Sequence, residues 1–169
     1  IQIPNKSTRL NREFFARHAE DVAKDLLGRV LVFERSDRKC PVYAQLREIA
    51  AYEGKANSMS KGILYDPGIL AVSTKYGKRI LDIATLEICK PSCVTLVSAL
   101  IGDARGKVSY VEGPGNLGEA LGIDKEYDSL PINLFPIWIG GEAISADKIQ
   151  QRNLSNLPNN CKGYFYYKD

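Results

Sequence analysis

Arg47-Glu48-Ile49-Ala50-Ala51-Tyr52-Glu53-Gly54 contains the end of the longest strand that the sequence predicts and the first two residues of the loop after it. This strand covers residues 42–52 and is rich in apolar and aromatic residues. Side chains two residues apart point to the same face of a strand, so Glu48, Ala50 and Tyr52 share one face. The strand therefore presents an alanine between a carboxylate and a phenol.

Outward from this strand, the pattern predicts short helices and further strands. Residues 1–10 read as a polar tail, Asn11 caps a short helix, and a second helix ends at Gly28, where a left-handed backbone is easiest. Residues 53–67 form a long loop, and loops of that length are often functional. The other predicted elements are strands at 29–34, 94–101, 132–139 and 164–167, a turn at 36–41, a hairpin at 69–85 with Tyr76-Gly77 at its tip, a helix from Gly113 to Leu121 closed by Gly122, and a last helical turn capped by Ser145.

Composition fits one domain with a substantial core. The chain has 169 residues, of which 44% are apolar and 25% charged. Antiparallel strands with short peripheral helices and a protruding hairpin predict an α+β class. The net charge of +3 permits a polyanionic partner without requiring one. No apolar run is long enough to span a membrane. The scattered cysteines are typical of reduced thiols in an intracellular protein, and the choice between nucleus, organelle and cytoplasm stays open.

The cysteines do not predict a metal centre. Cys40, Cys89, Cys93 and Cys161 are scattered through the chain and read as reduced thiols. Cys89-x3-Cys93 has a spacing that zinc sites use, but no second Cys/His pair exists, because His18 is the single histidine. We therefore expect no metal and no cofactor.

Three blocks of sequence resemble the alkyladenine (3-methyladenine or methylpurine) DNA glycosylase family, in the family's order and spacing. Together they span about residues 10–132, with a weaker match near residues 162–163. The resemblance implies the family's curved antiparallel sheet, in a single domain covering residues 1–169. The blocks are the strand that ends in Ala51-Tyr52, the run from Pro67-Gly68 to Tyr76-Gly77, and the run from Cys93-Val94 to the most specific motif, Gly113-Pro114-Gly115-Asn116-Leu117.

The resemblance implies nucleic-acid roles for three groups of residues. Tyr76 falls where the family places its DNA-intercalating side chain, and a flat amphipathic ring suits a wedge between base pairs. Tyr52 falls where the family stacks a ring on an extruded base. An exposed turn tyrosine and a core tyrosine are the respective structural alternatives. The residues expected at the nucleic-acid backbone are Lys75, Lys78 and Arg79 on the hairpin, and Gly113, Gly115 and Asn116 at the helix start.

The base pocket departs from the family pattern. The family's Glu-x-Glu-Ala-Tyr run has its water-activating second Glu where this chain has Ala50, and a methyl group cannot accept a proton. The other departures are Met59 for a histidine, Ala71 and Ser73 for tyrosines, Asp82 or Ile83 for an asparagine, Ser98 for an arginine, and Asn116 for the lysine of Gly-Pro-Gly-Lys-Leu.

Three other carboxylates could stand in for the catalytic Glu that is missing at Ala50. Glu48 shares a face with Ala50 but lies roughly 6–7 Å further along the strand. Glu53 and Asp82 are the alternatives, and for all three we expect a solvated or ion-paired carboxylate instead of a base. General-base assistance contributes about 10²–10⁴-fold, so its loss removes most of the rate.

Two hypotheses follow from these residues. The first is a catalytically inactive glycosylase fold that remains as a nucleic-acid-binding or scaffold component, with a ribonucleoprotein assembly as one setting. The second is a divergent DNA-3-methyladenine glycosylase that excises alkylated purines in base excision repair. Under either hypothesis we expect a monomeric domain whose partner is duplex DNA, with RNA or a ribonucleoprotein as the alternative.

Overall fold

One antiparallel sheet organises the protein. The computed structural model describes residues 1–54, 65–86, 90–103 and 105–168. In chain order, the strands are β1 (Val30–Phe33), β2 (Val42–Glu53), β3 (Leu70–Lys75), β4 (Lys78–Ala84), β5 (Ser92–Gly102), β6 (Val108–Glu112), β7 (Asn133–Leu134), β8 (Ile137–Gly140), β9 (Gln150–Gln151) and β10 (Cys161–Tyr166). The helices are α1 (Ala19–Leu26) and α2 (Pro114–Leu121). Short 3-10 turns cover Lys6–Thr8, Arg12–Phe15, Lys125–Tyr127 and Ala146–Lys148.

The sheet curves back on itself. Its order is β3-β4-β5-β2-β1-β8-β7, with β10 added to β2 and β6 added to β5. The segment that leads into β7 also bonds to β3, because the amide of Leu70 donates to Leu130 and the amide of Ser129 donates to Leu70. The two ends of the strand order are thereby brought together. This arrangement confirms the predicted α+β class with a curved antiparallel sheet.

The core lies on one face of the sheet. On β2, Ala44, Leu46, Ile49 and Ala51 belong to the main hydrophobic cluster, whereas Ala50 does not. The bulged register between Leu46 and Ile49 keeps both of these side chains on the core side. Helix α1 covers this side with buried apolar residues at helical spacing. The opposite face carries Ala50, which is fully buried, the half-buried Tyr52, and a smaller cluster of Val30, Val32 and Trp138.

The β3–β4 hairpin has the predicted tip. Tyr76 and Gly77 join the strands with φ of 52° and 77°, and two consecutive positive values are typical of a type I′ turn.

Helix α2 packs against β4. It begins after Gly113, whose φ is 99°, and it ends at Gly122, whose backbone is left-handed, as predicted. A Cβ added to Gly118 would lie 2.0 Å from the carbonyl oxygen of Arg79. Helix α2 therefore packs directly on the backbone of the hairpin.

Gly28 follows the end of α1 with a φ of 87°, as predicted, and its amide donates to Leu46 on β2. Two other details of the predicted elements differ in the structure. The strand predicted over residues 132–139 is a hairpin of β7 and β8, whose connection contains a cis Phe135–Pro136 bond. Residues 1–10, predicted as a tail, lie against the sheet, where the amide of Leu10 donates to Ile139.

Candidate functional site

A row of five side chains crosses the sheet at Ala50. Residues that are paired directly across neighbouring strands share a face. The register places Tyr164 of β10 opposite Ala50, then Thr95 of β5, Asp82 of β4 and Ala71 of β3. The position at which the family carries its catalytic Glu therefore has a phenol on one side and a threonine on the other. Asp82 lies two strands away, roughly 9–10 Å between backbones.

A second row crosses the sheet at Tyr52. Cys161 and Cys93 lie opposite Tyr52 on either side, and Ala84 follows on β4. The hydroxyls of Tyr52 and Tyr164 are 3.0 Å apart, so the two rows are joined by a hydrogen bond. Burial, and then the hydrogen bond with Tyr164, raise the pKa of Tyr52 above its usual value. Tyr52 therefore stays a neutral phenol, oriented by a residue that the sequence did not single out for the pocket.

Glu48 is occupied by an ion pair. Its side chain is on the face of Ala50 and only 5% of the residue is exposed. Its Oε1 accepts from Nε of Arg152, and the guanidinium of Arg152 lies 4.3 Å from the ring centre of Tyr166. Glu48 is therefore ion-paired, which is one of the two states expected for it.

Breaking this pair tests how firmly Glu48 is held. Arg152→Met should lower the free energy of unfolding by about 3–5 kcal/mol, since it leaves a buried carboxylate without its cation. Urea denaturation followed by circular dichroism measures the loss. Adding Glu48→Gln to the same variant removes the charge and should recover most of the stability. A loss below about 1 kcal/mol in Arg152→Met would mean that the pair is weak.

Glu53 serves the fold at the end of β2. Its Oε1 accepts from the amide of Ala19, the first residue of α1, at 2.9 Å, and lies 3.0 Å from Nδ1 of His18. A carboxylate at a helix amino terminus stabilises the orphan amides there. Glu53 is thus the cap of α1, and its carboxylate is turned away from the position of a catalytic base.

Asp82 differs from both. The structure separates it from Ile83, the other residue that could match the family's asparagine, because Ile83 belongs to the core and Asp82 faces the site. Asp82 is not solvated, since it is 1% exposed and accepts a hydrogen bond from Oγ1 of Thr95. The hydroxyl of Thr95 therefore lies between this carboxylate and Ala50.

Other predicted pocket residues have separate positions. Ala71 is in the row of Ala50, whereas Ser73 lies two residues further along β3, toward the hairpin tip, opposite Ile80. Met59 is outside the described residues, as is Cys89. Ser98, at the arginine position, is buried opposite Glu48 and accepts from the hydroxyl of Tyr110 at 3.3 Å. Ala71 and Ser73 therefore supply no ring at the two β3 positions where the family resemblance implies tyrosines.

The hairpin presents its wedge residue to solvent. Tyr76 is 95% exposed, so the predicted intercalating position is free to meet a partner. Its basic neighbours are not equivalent. Lys78 lies 3.1 Å from Glu119, and Arg79 lies 3.1 Å from Asp124. Among the described residues, Lys75 has no such carboxylate partner.

The start of α2 is tied to the hairpin by Asn116. Nζ of Lys78 donates to Oδ1 of Asn116, whose Nδ2 donates to the carbonyl of Glu112 at 3.0 Å. The side chain of Lys78 also lies against Gly115, where an added Cβ would come within 3.1 Å of it. The ammonium of Lys78, which comes from the hairpin, therefore lies beside residue 116, the position at which the family carries a lysine.

The described residues offer no metal ligands in a group. No three His, Cys, Asp or Glu side chains in the described ranges lie close enough together to hold an ion. The described cysteines, Cys40, Cys93 and Cys161, carry free thiols. Within the same residues, no helix is long and apolar enough to cross a membrane.

The family assignment follows from comparison with known proteins. The family model described as "Methylpurine-DNA glycosylase (MPG)" matches residues 13–158. This chain belongs to the methylpurine-DNA glycosylase family. Membership confirms the resemblance, and it relates the chain to DNA glycosylases and to DNA repair.

Three relatives of this methylpurine-DNA glycosylase family member share about a third of the sequence with it over the matched regions. A protein of Anaeromyxobacter sp. (strain Fw109-5), named "Putative 3-methyladenine DNA glycosylase", is 34% identical over 132 residues, covering 72% of this chain and 66% of the relative. Proteins with the same name from Streptomyces avermitilis and Desulfitobacterium hafniense are 32% and 34% identical, covering 76% and 69% of this chain and 69% and 71% of the relatives. The chain thus spans about two thirds of the length of these relatives.

Two candidate residues of this methylpurine-DNA glycosylase homologue do not emerge from the sequence. Tyr164 reads as strand packing because rings alternate along β10, and Thr95 belongs to no motif. Their positions beside Ala50 depend on which strands neighbour β2, and β10 is distant in sequence. Tyr164 can be assigned to the site from its pairing with Ala50, and Tyr166 from its pairing with Glu48, but these pairings become visible only when the order of strands is known.

Proposed function

We propose that this chain binds duplex DNA through the β3–β4 hairpin and the Tyr52 face, without excising a base. The observation that carries the proposal is the row through Ala50. A methyl group occupies the catalytic position, while the carboxylates nearest in sequence, Glu48 and Glu53, are engaged by Arg152 and by α1. What remains suited to a ligand is the exposed Tyr76 and the phenol of Tyr52.

The hairpin explains how DNA is held. Inserting the ring of Tyr76 between base pairs fills the gap left by an extruded nucleotide, and a rigid two-residue turn keeps the ring in place. Lys75 lies directly before Tyr76 and contributes a cation to a neighbouring phosphate. Lys78 and Arg79 contribute less, since their charges are balanced by Glu119 and Asp124.

Fluorescence anisotropy with a labelled duplex tests this function. Tyr76→Ala should weaken binding about tenfold, because aromatic stacking on bases contributes about 1–3 kcal/mol. Phe135→Ala is the matched control, since Phe135 is 68% exposed at the tip of the β7–β8 connection. If the Tyr76→Ala, Phe135→Ala and unmodified chains bind DNA with equal affinity, the hairpin is not part of the DNA-binding site. Tighter binding of a duplex RNA competitor would replace DNA by RNA as the partner.

A second candidate function rests on Asp82 and Thr95. In a divergent glycosylase, water would attack the sugar C1′ as the C1′–N bond breaks and its electron pair leaves with the purine. The water proton would pass to Oγ1 of Thr95 while the Thr95 proton passes to the carboxylate of Asp82. Thr95 is directly opposite Ala50, about 4.5–5.5 Å between Cβ atoms, so its hydroxyl is near the place of the missing carboxylate.

A further inference from the structure

We infer that Tyr110 and the β5–β6 hairpin form a second DNA-contact surface, beside the Tyr76 wedge, that holds the sugar–phosphate backbone. This inference rests on the proposed function and adds residues that the sequence did not single out. Its members are Tyr110 on β6 and the basic residues Arg105 and Lys107 in the connection between β5 and β6.

Tyr110 lies on the functional face of the sheet. On β6, Val111 packs against the main core, so Tyr110 points to the opposite side. The register pairs Tyr110 with Leu100, and Leu100 with Gln45 of β2. Gln45 and Ala50 are both on the non-core side of β2, the latter beyond the bulge. The ring of Tyr110 therefore stands on the same face as Tyr52.

The ring is held in place while its faces remain available. Tyr110 is 54% exposed, although its hydroxyl donates to the buried Oγ of Ser98. This hydrogen bond fixes the polar end of the side chain, and an anchored ring loses little conformational freedom when it contacts a ligand. Ser98 occupies the arginine position of the family, so Tyr110 covers the place where this chain lacks that cation.

The surface adjoins the wedge. β4 and β6 occupy the same edge of β5, β4 along Cys93–Thr95 and β6 along Ser98–Gly102, so the β3–β4 hairpin leaves the sheet next to β6. Asn116 joins them, since it accepts from Lys78 and donates to the carbonyl of Glu112. Tyr110 is two residues from Glu112 along β6, roughly 6–7 Å. A duplex contacted by Tyr76 would pass over this strand.

The charge of the connection suits a phosphate chain. Arg105 and Lys107 are exposed, and neither forms an ion pair with another described residue. The neighbouring carboxylate of Asp103 accepts from their backbone amides at 2.8 and 3.1 Å, which fixes the turn. The exposed side chains of Arg105 and Lys107 belong to this turn, whose acidic residue is Asp103. Unpaired cations near an exposed aromatic ring are a combination typical of nucleic-acid surfaces.

The test compares variants for duplex binding at several salt concentrations. Tyr110→Ala should weaken binding about tenfold, and Tyr110→Phe should retain the affinity within about threefold because the ring remains. The double variant Arg105→Gln/Lys107→Gln should make the slope of log affinity against log salt concentration shallower by about 1.8. This is about 0.9 for each phosphate that is no longer neutralised. The matched charge control is Lys24→Gln with Lys125→Gln, on α1 and on the turn after α2.

The outcomes separate this inference from the proposed function. If Tyr76→Ala weakens binding while Tyr110→Ala and the Arg105/Lys107 variant match their controls, the β5–β6 surface is overturned and the hairpin function stands. If the unmodified chain binds no duplex, both are overturned. Weaker binding of Tyr110→Ala than of Phe135→Ala, together with the flatter salt plot, supports the surface.

Discussion

Ala50→Glu is expected to increase excision of hypoxanthine or ethenoadenine from duplex DNA by about 10²–10⁴-fold, whereas the unmodified chain should show only the uncatalysed rate. The reason is that a carboxylate at position 50 would stand between the phenol of Tyr164 and the hydroxyl of Thr95, where it can accept a proton from water. Single-turnover kinetics with enzyme in excess measures this step without interference from product release.

Ala50→Gln is the matched control for this experiment. Glutamine has the same size as glutamate and can form hydrogen bonds, but its amide is not a base at neutral pH. Equal rates for the two variants would mean that position 50 no longer controls the chemistry. No excision by Ala50→Glu would locate the defect in the pocket around Ala71 and Ser73.

Excision by the unmodified chain would instead favour the second candidate function. In that event Asp82→Asn should abolish the activity, because the amide cannot take the proton passed on by Thr95. Thr95→Val should also abolish it, since valine keeps the shape and removes the hydroxyl. Persistence of activity in both variants would exclude the relay between these residues.

The sequence predicts the parts of the fold that depend on local patterns. The β3–β4 hairpin follows from alternating apolar residues around Tyr76-Gly77, and the ends of α2 follow from Gly113 and Gly122, whose positive φ values only glycine adopts easily. β6 does not emerge from the sequence because Val108–Glu112 is short, lies at an edge and has mostly exposed side chains, so that burial imposes no strict pattern on it. The β7–β8 hairpin reads as one strand because residues 132–139 are almost uniformly apolar.

The candidate site is predictable only along β2. Glu48, Ala50 and Tyr52 can be placed on one face because the period of a strand is two residues. The sequence does not distinguish the interactions of Glu48, Glu53 and Asp82, since the residues that bind these carboxylates come from distant elements. Arg152 follows β9, Ala19 begins α1, and Thr95 is on β5, so each pairing depends on the order of strands in the sheet. Met59 and the rest of residues 55–64 are outside the described structure, and their predicted role stays a prediction.

Gly118→Ala is expected to lower the free energy of unfolding by about 3 kcal/mol and the midpoint of thermal unfolding by roughly 6–12 °C. An added Cβ would lie 2.0 Å from the carbonyl oxygen of Arg79, and a backbone atom cannot move aside as a side-chain end can. Helix α2 must then separate from β4, which carries the hairpin tip. Thermal unfolding followed by circular dichroism measures the change, and duplex binding below the midpoint measures its effect on the hairpin.

Gly115→Ala in the same helix provides the matched comparison. Its added Cβ would lie 3.1 Å from Cβ of Lys78, and a shift of a few tenths of an ångström is enough to relieve this contact. The better helix propensity of alanine, about 1 kcal/mol, should offset this contact, so we expect a change within about 1 kcal/mol. Because the two substitutions are chemically identical, a difference between them measures the close approach of α2 to β4 alone. Equal stabilities would mean that the helix does not clamp the hairpin, and Tyr76 would then have to be positioned by the turn itself.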